Sequence, residues 1–138
     1  MQPFHLEAVT VGADCAVLPI RGEVDVYTAP QVRERVIRLL AGGARHVIAD
    51  LREVSFLDST GLGALVGSLK RLREQDGSLG LVVADGKITT VFRVTGLDRV
   101  FALHTSFPAA IDGDQHWQAA MASEGRGTAD WCRDHQLL

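Results

Sequence analysis

Val47-Ile48-Ala49-Asp50-Leu51, Asp58-Ser59-Thr60-Gly61-Leu62-Gly63 and Leu79-Gly80-Leu81-Val82-Val83 are the three segments whose reading decides the fold. The first and third are short, almost wholly apolar runs of strand length, the signature of strands buried on both faces. The middle segment opens a long helix: Leu62, Leu65, Val66, Leu69 and Leu72 recur at helical spacing, with Lys70, Arg71, Arg73 and Glu74 on the polar side until Asp76-Gly77. Strand, helix and strand in that order make a parallel pair, because parallel neighbours need a long crossover and a helix supplies it.

Working outward, Phe4 to Val11 alternates apolar and polar residues, and Gly12-Ala13-Asp14 turns the chain into Cys15-Ala16-Val17-Leu18-Pro19-Ile20. This predicts an opening antiparallel pair, with Pro19 at an edge, a bulge or a strand end because it has no N–H for a ladder. Thr28-Ala29-Pro30-Gln31 has capping-box spacing and a proline in the first turn, so a helix is predicted from there to Gly42-Gly43, with Val32, Val36, Leu39 and Leu40 inward. Thr89 to Thr95 predicts a brief helix stopped by Gly96 with a Leu97 contact, and Val100 to His104 a last edge strand. Ala109 to Ala122 is apolar enough for a closing helix, though Gly113 and two aspartates weaken its start. Ser123 to Leu138 reads as a mobile tail in which Trp131 is an unusual residue. The alternation of strands and helices gives an α/β domain.

The length of 138 residues suits one domain with a proper core. Lysines and arginines number 14 against 17 aspartates and glutamates, a net charge of −3 with the basic residues scattered, which argues against direct binding to nucleic acid or to an anionic membrane. The amino terminus has no secretory pattern and no apolar run reaches spanning length, so a cytoplasmic protein is expected. Cys15 and Cys132 read as reduced thiols, with a redox bridge as the alternative. His5, His46, His104, His116 and His135 are dispersed without ligand-like pairing, so no metal is expected. Neither a Gly-x-Ser-x-Gly elbow nor a phosphate-binding Gly-rich loop with Lys-Ser/Thr is present, and the reading is of a non-enzyme with no cofactor and no catalytic residue.

Asp58-Ser59-Thr60-Gly61-Leu62-Gly63 lies beyond the carboxyl end of a strand, where α/β sheets carry their functional loops. A helix start offers free amides and partial positive charge, so a phosphate on Ser59 is tolerable there, and Gly61 and Gly63 leave room for another protein's backbone. The plainer reading is an N-cap. Gly22-Glu23-Val24-Asp25 follows the second strand and precedes the first helix, which can place it on the same rim; by itself it is equally a polar turn.

Gly22-Glu23-Val24-Asp25 with Ala29-Pro30, the Asp58 to Gly63 turn, and Thr95-Gly96-Leu97-Asp98-Arg99-Val100-Phe101 stand in the order and approximate spacing of bacterial STAS-domain anti-sigma factor antagonists, and the chain resembles that family from about Phe4 to Ala110. The resemblance implies a mixed, mostly parallel sheet of four to five strands packed with about four helices, a STAS domain over 1–112 and a partly flexible extension over 113–138. It also implies a cycle: the unphosphorylated form binds an anti-sigma factor that is a serine kinase, freeing a sigma factor; phosphorylation at Ser59 ends binding; a serine phosphatase of PP2C type reverses it. The partner surface carried over comprises Glu23, Asp25, Asp58, Ser59, Thr60, Gly61, Leu62 and Gly63, with Glu23 in a lesser role and Thr60 where a second serine often stands. A monomer or weak dimer is expected. The alternative within the family is a STAS subunit of a lipid or anion transport machine or of a stress-sensing assembly.

Overall fold

Two long parallel strands, β3 (Cys15–Val24) and β4 (His46–Leu57), form the middle of the sheet in the computed structural model, which describes residues 5, 6, 8–84 and 86–138. β1 (His5–Leu6) and β2 (Val9–Val11) share the antiparallel flank of β3, while β5 (Ser78–Val82) and β6 (Ala102–His104) continue the parallel order from β4 to the other edge. The expected mixed, mostly parallel α/β sheet is therefore present. The opening antiparallel pair is present too, and the Phe4 end of its first strand lies outside the described residues.

Both faces of the sheet are covered. The period-2 alternation sends Ala16, Leu18 and Ile20 of β3, Val47, Ala49 and Leu51 of β4, and Leu79 and Leu81 of β5 to one face. There they meet Val32 and Val36 of α1 (Ala29–Ala41), Leu65, Leu69 and Leu72 of α2 (Ser59–Glu74), and Ile88 and Phe92 of α3 (Lys87–Val94). Each such buried aliphatic side chain is worth about 1.5–3 kcal/mol relative to exposure. Cys15, Val17, Ile48 and Val82 point to the opposite face, under α4 (Phe107–Asp112), α5 (Gln115–Glu124) and α6 (Thr128–Asp134).

That second layer corrects the expectation for the carboxyl-terminal third. The closing helix predicted over Ala109 to Ala122 is two helices, and the residues that weakened it are the joint: Gly113 ends α4, and Asp114 caps α5 by accepting from the amides of His116 (2.8 Å) and Trp117 (3.2 Å). Beyond Ser123, read as a mobile tail, the chain forms α6, with Trp131 and Cys132 buried and the Trp131 ring edge-on to Trp117 at 6.2 Å between centroids. A half-buried ion pair pins the end of this layer. Arg52 donates to both carboxylate oxygens of Asp50 (2.9 and 3.1 Å), reaches the Gln136 carbonyl at 3.4 Å and lies over the Phe107 ring. Among the described residues six α-helices thus stand, where about four were expected.

One other expectation changes. The capping box at Thr28 does not form: its hydroxyl turns back and donates to the Glu23 carbonyl at 2.8 Å instead of capping α1. Pro19 takes one of its three expected places, an irregularity of the bulge kind, where β4 gains a residue on β3 between Pro19 and Arg21.

Cys15 and Cys132 are free and buried. Burial first, then Asp14, pushes the Cys15 thiol up to about 12, and burial raises Cys132 as well. In the native protein at pH 8 both should resist a disulfide exchange reagent and react only after denaturation; rapid labelling of either would contradict the closed second layer. Trp131→Ala should cost about 3–5 kcal/mol in urea unfolding, and a loss below about 1 kcal/mol would mean that α6 is not part of the core. A Cβ on Gly61 would stand 2.7 Å from the Val24 carbonyl oxygen and 2.7 Å from Leu57 Cδ1, so Gly61→Ala should destabilise by about 1–3 kcal/mol, read as a lower urea midpoint.

Candidate functional site

The rim of the sheet at which β3 and β4 finish is built by their register. β4 gains a second residue on β3 between Gly22 and Glu23, where Gly22 has φ +92°, a conformation that favours glycine, and the strands then end side by side at Val24 and Leu57. Gly22-Glu23-Val24 is thus the end of β3 itself, not a turn after it, and β4 runs on to Leu57, immediately before Asp58. One strand leads directly into Asp25 and the other into Asp58. The Asp58 amide donates to the Val24 carbonyl at 3.3 Å, which fastens the two exits together.

Asp58 is the N-cap of α2. Its backbone is extended and its Oδ1 accepts from the Gly61 amide at 2.9 Å, while its carbonyl accepts from Leu62 N. Ser59, the first helical residue, is exposed, and no hydrogen bond to another described residue holds its hydroxyl. Thr60 is half-buried. The two glycines differ: around Gly63 a Cβ would meet open space, whereas Gly61 is buried against the chain's own Val24 and Leu57. The room that Gly61 makes is therefore taken up by the domain. Leu62, too, is buried in the first core layer, so its side chain supports the turn from beneath.

Asp25 folds its own loop. Its Oδ1 accepts from the amides of Tyr27 (2.9 Å) and Thr28 (3.1 Å), and the Thr28 hydroxyl accepts from the Asp25 amide at 2.9 Å. This compact turn lifts two apolar side chains into solvent, Val26 at 57% and Tyr27 at 83% exposure. On the neighbouring strand Phe56, paired with Glu23, is 48% exposed. Sequence reasoning passed over these three residues. The available signal was an apolar pair, Val26-Tyr27, placed between a strand end and a helix start where no periodicity sends it to a core. The rim therefore carries an exposed serine at a helix start, the acidic residues Glu23, Asp25 and Asp58 at the ends of β3 and β4, and the exposed apolar side chains Val26, Tyr27 and Phe56.

The other end of the same strands also departs from expectation. His46 and His116, taken as dispersed, stack with ring centroids 3.7 Å apart, next to Asp14. His46 is buried, and its pKa is lowered, first by that burial and then by His116.

Residues 7–110 match the family described as the STAS domain. The anti-sigma-B factor antagonist of Bacillus subtilis is 45% identical over 78 residues, covering 56% of this chain and 71% of that protein. The protein of the same name from Staphylococcus aureus is 40% identical over 78 residues, covering 56% and 72%. Among solved structures, an anti-sigma factor antagonist from Mycobacterium paratuberculosis shares the fold with a TM-score of 0.72 at 24% identity, covering 80% of this chain and 93% of its own. The antagonist SpoIIAA in its unphosphorylated form superposes with a TM-score of 0.66 at 27% identity, over 80% of this chain and 94% of that one. Sequence match and architecture agree, and the chain belongs to the STAS domain family.

Proposed function

We propose that this protein is an anti-sigma factor antagonist whose rim, centred on Ser59, docks on an anti-sigma factor that is also a serine kinase. The observation that carries the reading is the Ser59 side chain, exposed and unbonded to the described residues, at the first turn of a helix whose cap is already filled by Asp58. The domain does not need that hydroxyl for its own structure, so it is free to be a substrate. Support comes from the relatives named anti-sigma-B factor antagonists and from SpoIIAA, whose phosphorylated form is also a solved neighbour, at 27% identity and a TM-score of 0.60.

In this reading Val26, Tyr27 and Phe56 supply the apolar centre of the docking surface, and Glu23, Asp25, Asp58 and Thr60 its polar surround, with Gly63 leaving the approach to Ser59 open. Gly61 and Leu62 act from below by holding the helix start against β3 and β4. Phosphorylation adds about −1.5 to −2 charges beside Asp58 and near Asp25, in an interface where little water screens them. Repulsion and desolvation then separate the pair. A coupling of about 1.4 kcal/mol already changes affinity tenfold, so a local clash is sufficient without refolding. The kinase's release of a sigma factor, reversal by a PP2C-type serine phosphatase and a cytoplasmic setting complete the cycle. Among the described residues no helix is long and apolar enough to cross a membrane, which is compatible with that setting.

Incubation with the cognate kinase and ATP should add one phosphate, seen by intact mass, and Ser59→Ala should abolish it; equal phosphorylation of the variant would refute the site. Ser59→Asp should weaken kinase binding only in part, because one carboxylate carries less charge than a phosphate and has a different shape; undiminished affinity in calorimetry would count against the electrostatic account. Tyr27→Ala should weaken kinase binding by at least about tenfold with an unchanged urea midpoint, and an unaltered affinity would remove Tyr27 from the docking surface.

A further inference from the structure

At the rim opposite Ser59, three elements bring together side chains that the sequence keeps far apart. Asp14 lies in the turn before β3, His46 begins β4, and His116 stands in the first turn of α5. One ligand atom from each lies within 4.8 Å of the other two, and His46 Nε2 is 4.0 Å from Asp14 Oδ2. We propose that Asp14, His46 and His116 form a binding site for a late first-row divalent cation, zinc being the best match to two imidazoles and a carboxylate. The site is independent of the reading of Ser59, which lies at the far end of β4, on the order of 30 Å along the strand.

The surroundings of His46 are those of an oriented ligand. Its Nδ1 lies 2.8 Å from Ser78 Oγ, and Ser78 Oγ donates to Asp114 Oδ2 at 3.3 Å. With the Ser78 proton directed to Asp114, Nδ1–H is the donor to Ser78, and that tautomer leaves the lone pair on Nε2, the nitrogen 4.0 Å from Asp14 Oδ2. His46 is only 4% exposed, so the packing around it and the Ser78 contact hold its ring in one orientation. Asp14 is partly exposed and His116 is exposed, so a cation can enter from solvent without opening the core.

The two rings stack 10° from parallel. Ring lone pairs lie in the ring planes, so in the stack they run side by side and do not converge on one point. His116 has to turn out of the stack to complete the site, and its exposure at the start of a helix leaves it free to do so. A bound cation would then clasp α5 to the starts of β3 and β4, with water in the fourth position of the tetrahedron.

The test uses the full chain, freed of metal by a chelator that is then removed, and titrated with zinc in a calorimeter and with cobalt in a spectrophotometer. Expected are one zinc per chain, a higher Tm with zinc present, and the visible absorption of tetrahedral cobalt. His116→Ala, which removes an exposed side chain, should weaken zinc binding by at least about tenfold and abolish the Tm rise, while His104→Ala should change neither. Ser78→Ala should weaken binding about 10-fold or more by freeing His46 to rotate. No saturable binding up to millimolar zinc would overturn the proposal, as would undiminished binding by His116→Ala.

Discussion

The parallel pairing of β3 with β4 carries more of this molecule than any other contact. Its ladder runs from Cys15 against His46 to Val24 against Leu57, and everything of functional interest hangs on one end of it or the other. At the far end the Val24 carbonyl receives the Asp58 amide and would collide with any Cβ at Gly61, so the strand exits, the helix start and the Asp25 loop share one small contact region. At the near end the same two strands deliver Asp14 and His46 to the first turn of α5. Without this pairing Ser59 would still begin a helix, but nothing would set Val26, Tyr27 and Phe56 beside it.

The sheet's two register shifts are what fit these ends to their tasks. One sits after Pro19, which cannot donate to a ladder, and the other coincides with the positive φ of Gly22. Each lets β4 advance by a residue on its neighbour. Glu23 thereby comes opposite the exposed Phe56, a charged side chain beside an apolar one, and buried Val24 comes opposite buried Leu57.

Most of the fold was legible in the sequence where local pattern and tertiary demand coincide. Val47 to Leu51 and Leu79 to Val83 are apolar because both sides of the sheet are covered, and α2 announces itself by Leu62, Leu65, Leu69 and Leu72. The misreadings have a common source, which is that a polar or glycine residue has several local uses and only the folded chain selects one. Thr28 offered a capping box but closes the Asp25 turn, and Asp114 looked like a defect in a helix yet caps the next one. Trp131 hinted at a docked segment, but short helices with little periodicity, such as α6, are bounded by tertiary packing more than by pattern. At the rim, Asp58 and Ser59 could be named from sequence order, because a strand leading into a helix fixes where they must lie. Phe56 and Tyr27 could not, since exposure of an apolar side chain depends on which face of which strand remains uncovered. The His46 and His116 stack was invisible for a similar reason: 70 residues of chain separate its members, and no local rule links them.

Asp58 fills the cap of α2 from the position just before Ser59, so the helix is complete whether or not the serine carries another group. Modified and unmodified chains should then survive equally well against cellular proteases, which attack molecules according to how often they open. Under the proposed cycle the ratio of the two forms would then be set by the opposing enzymes alone, undistorted by selective degradation.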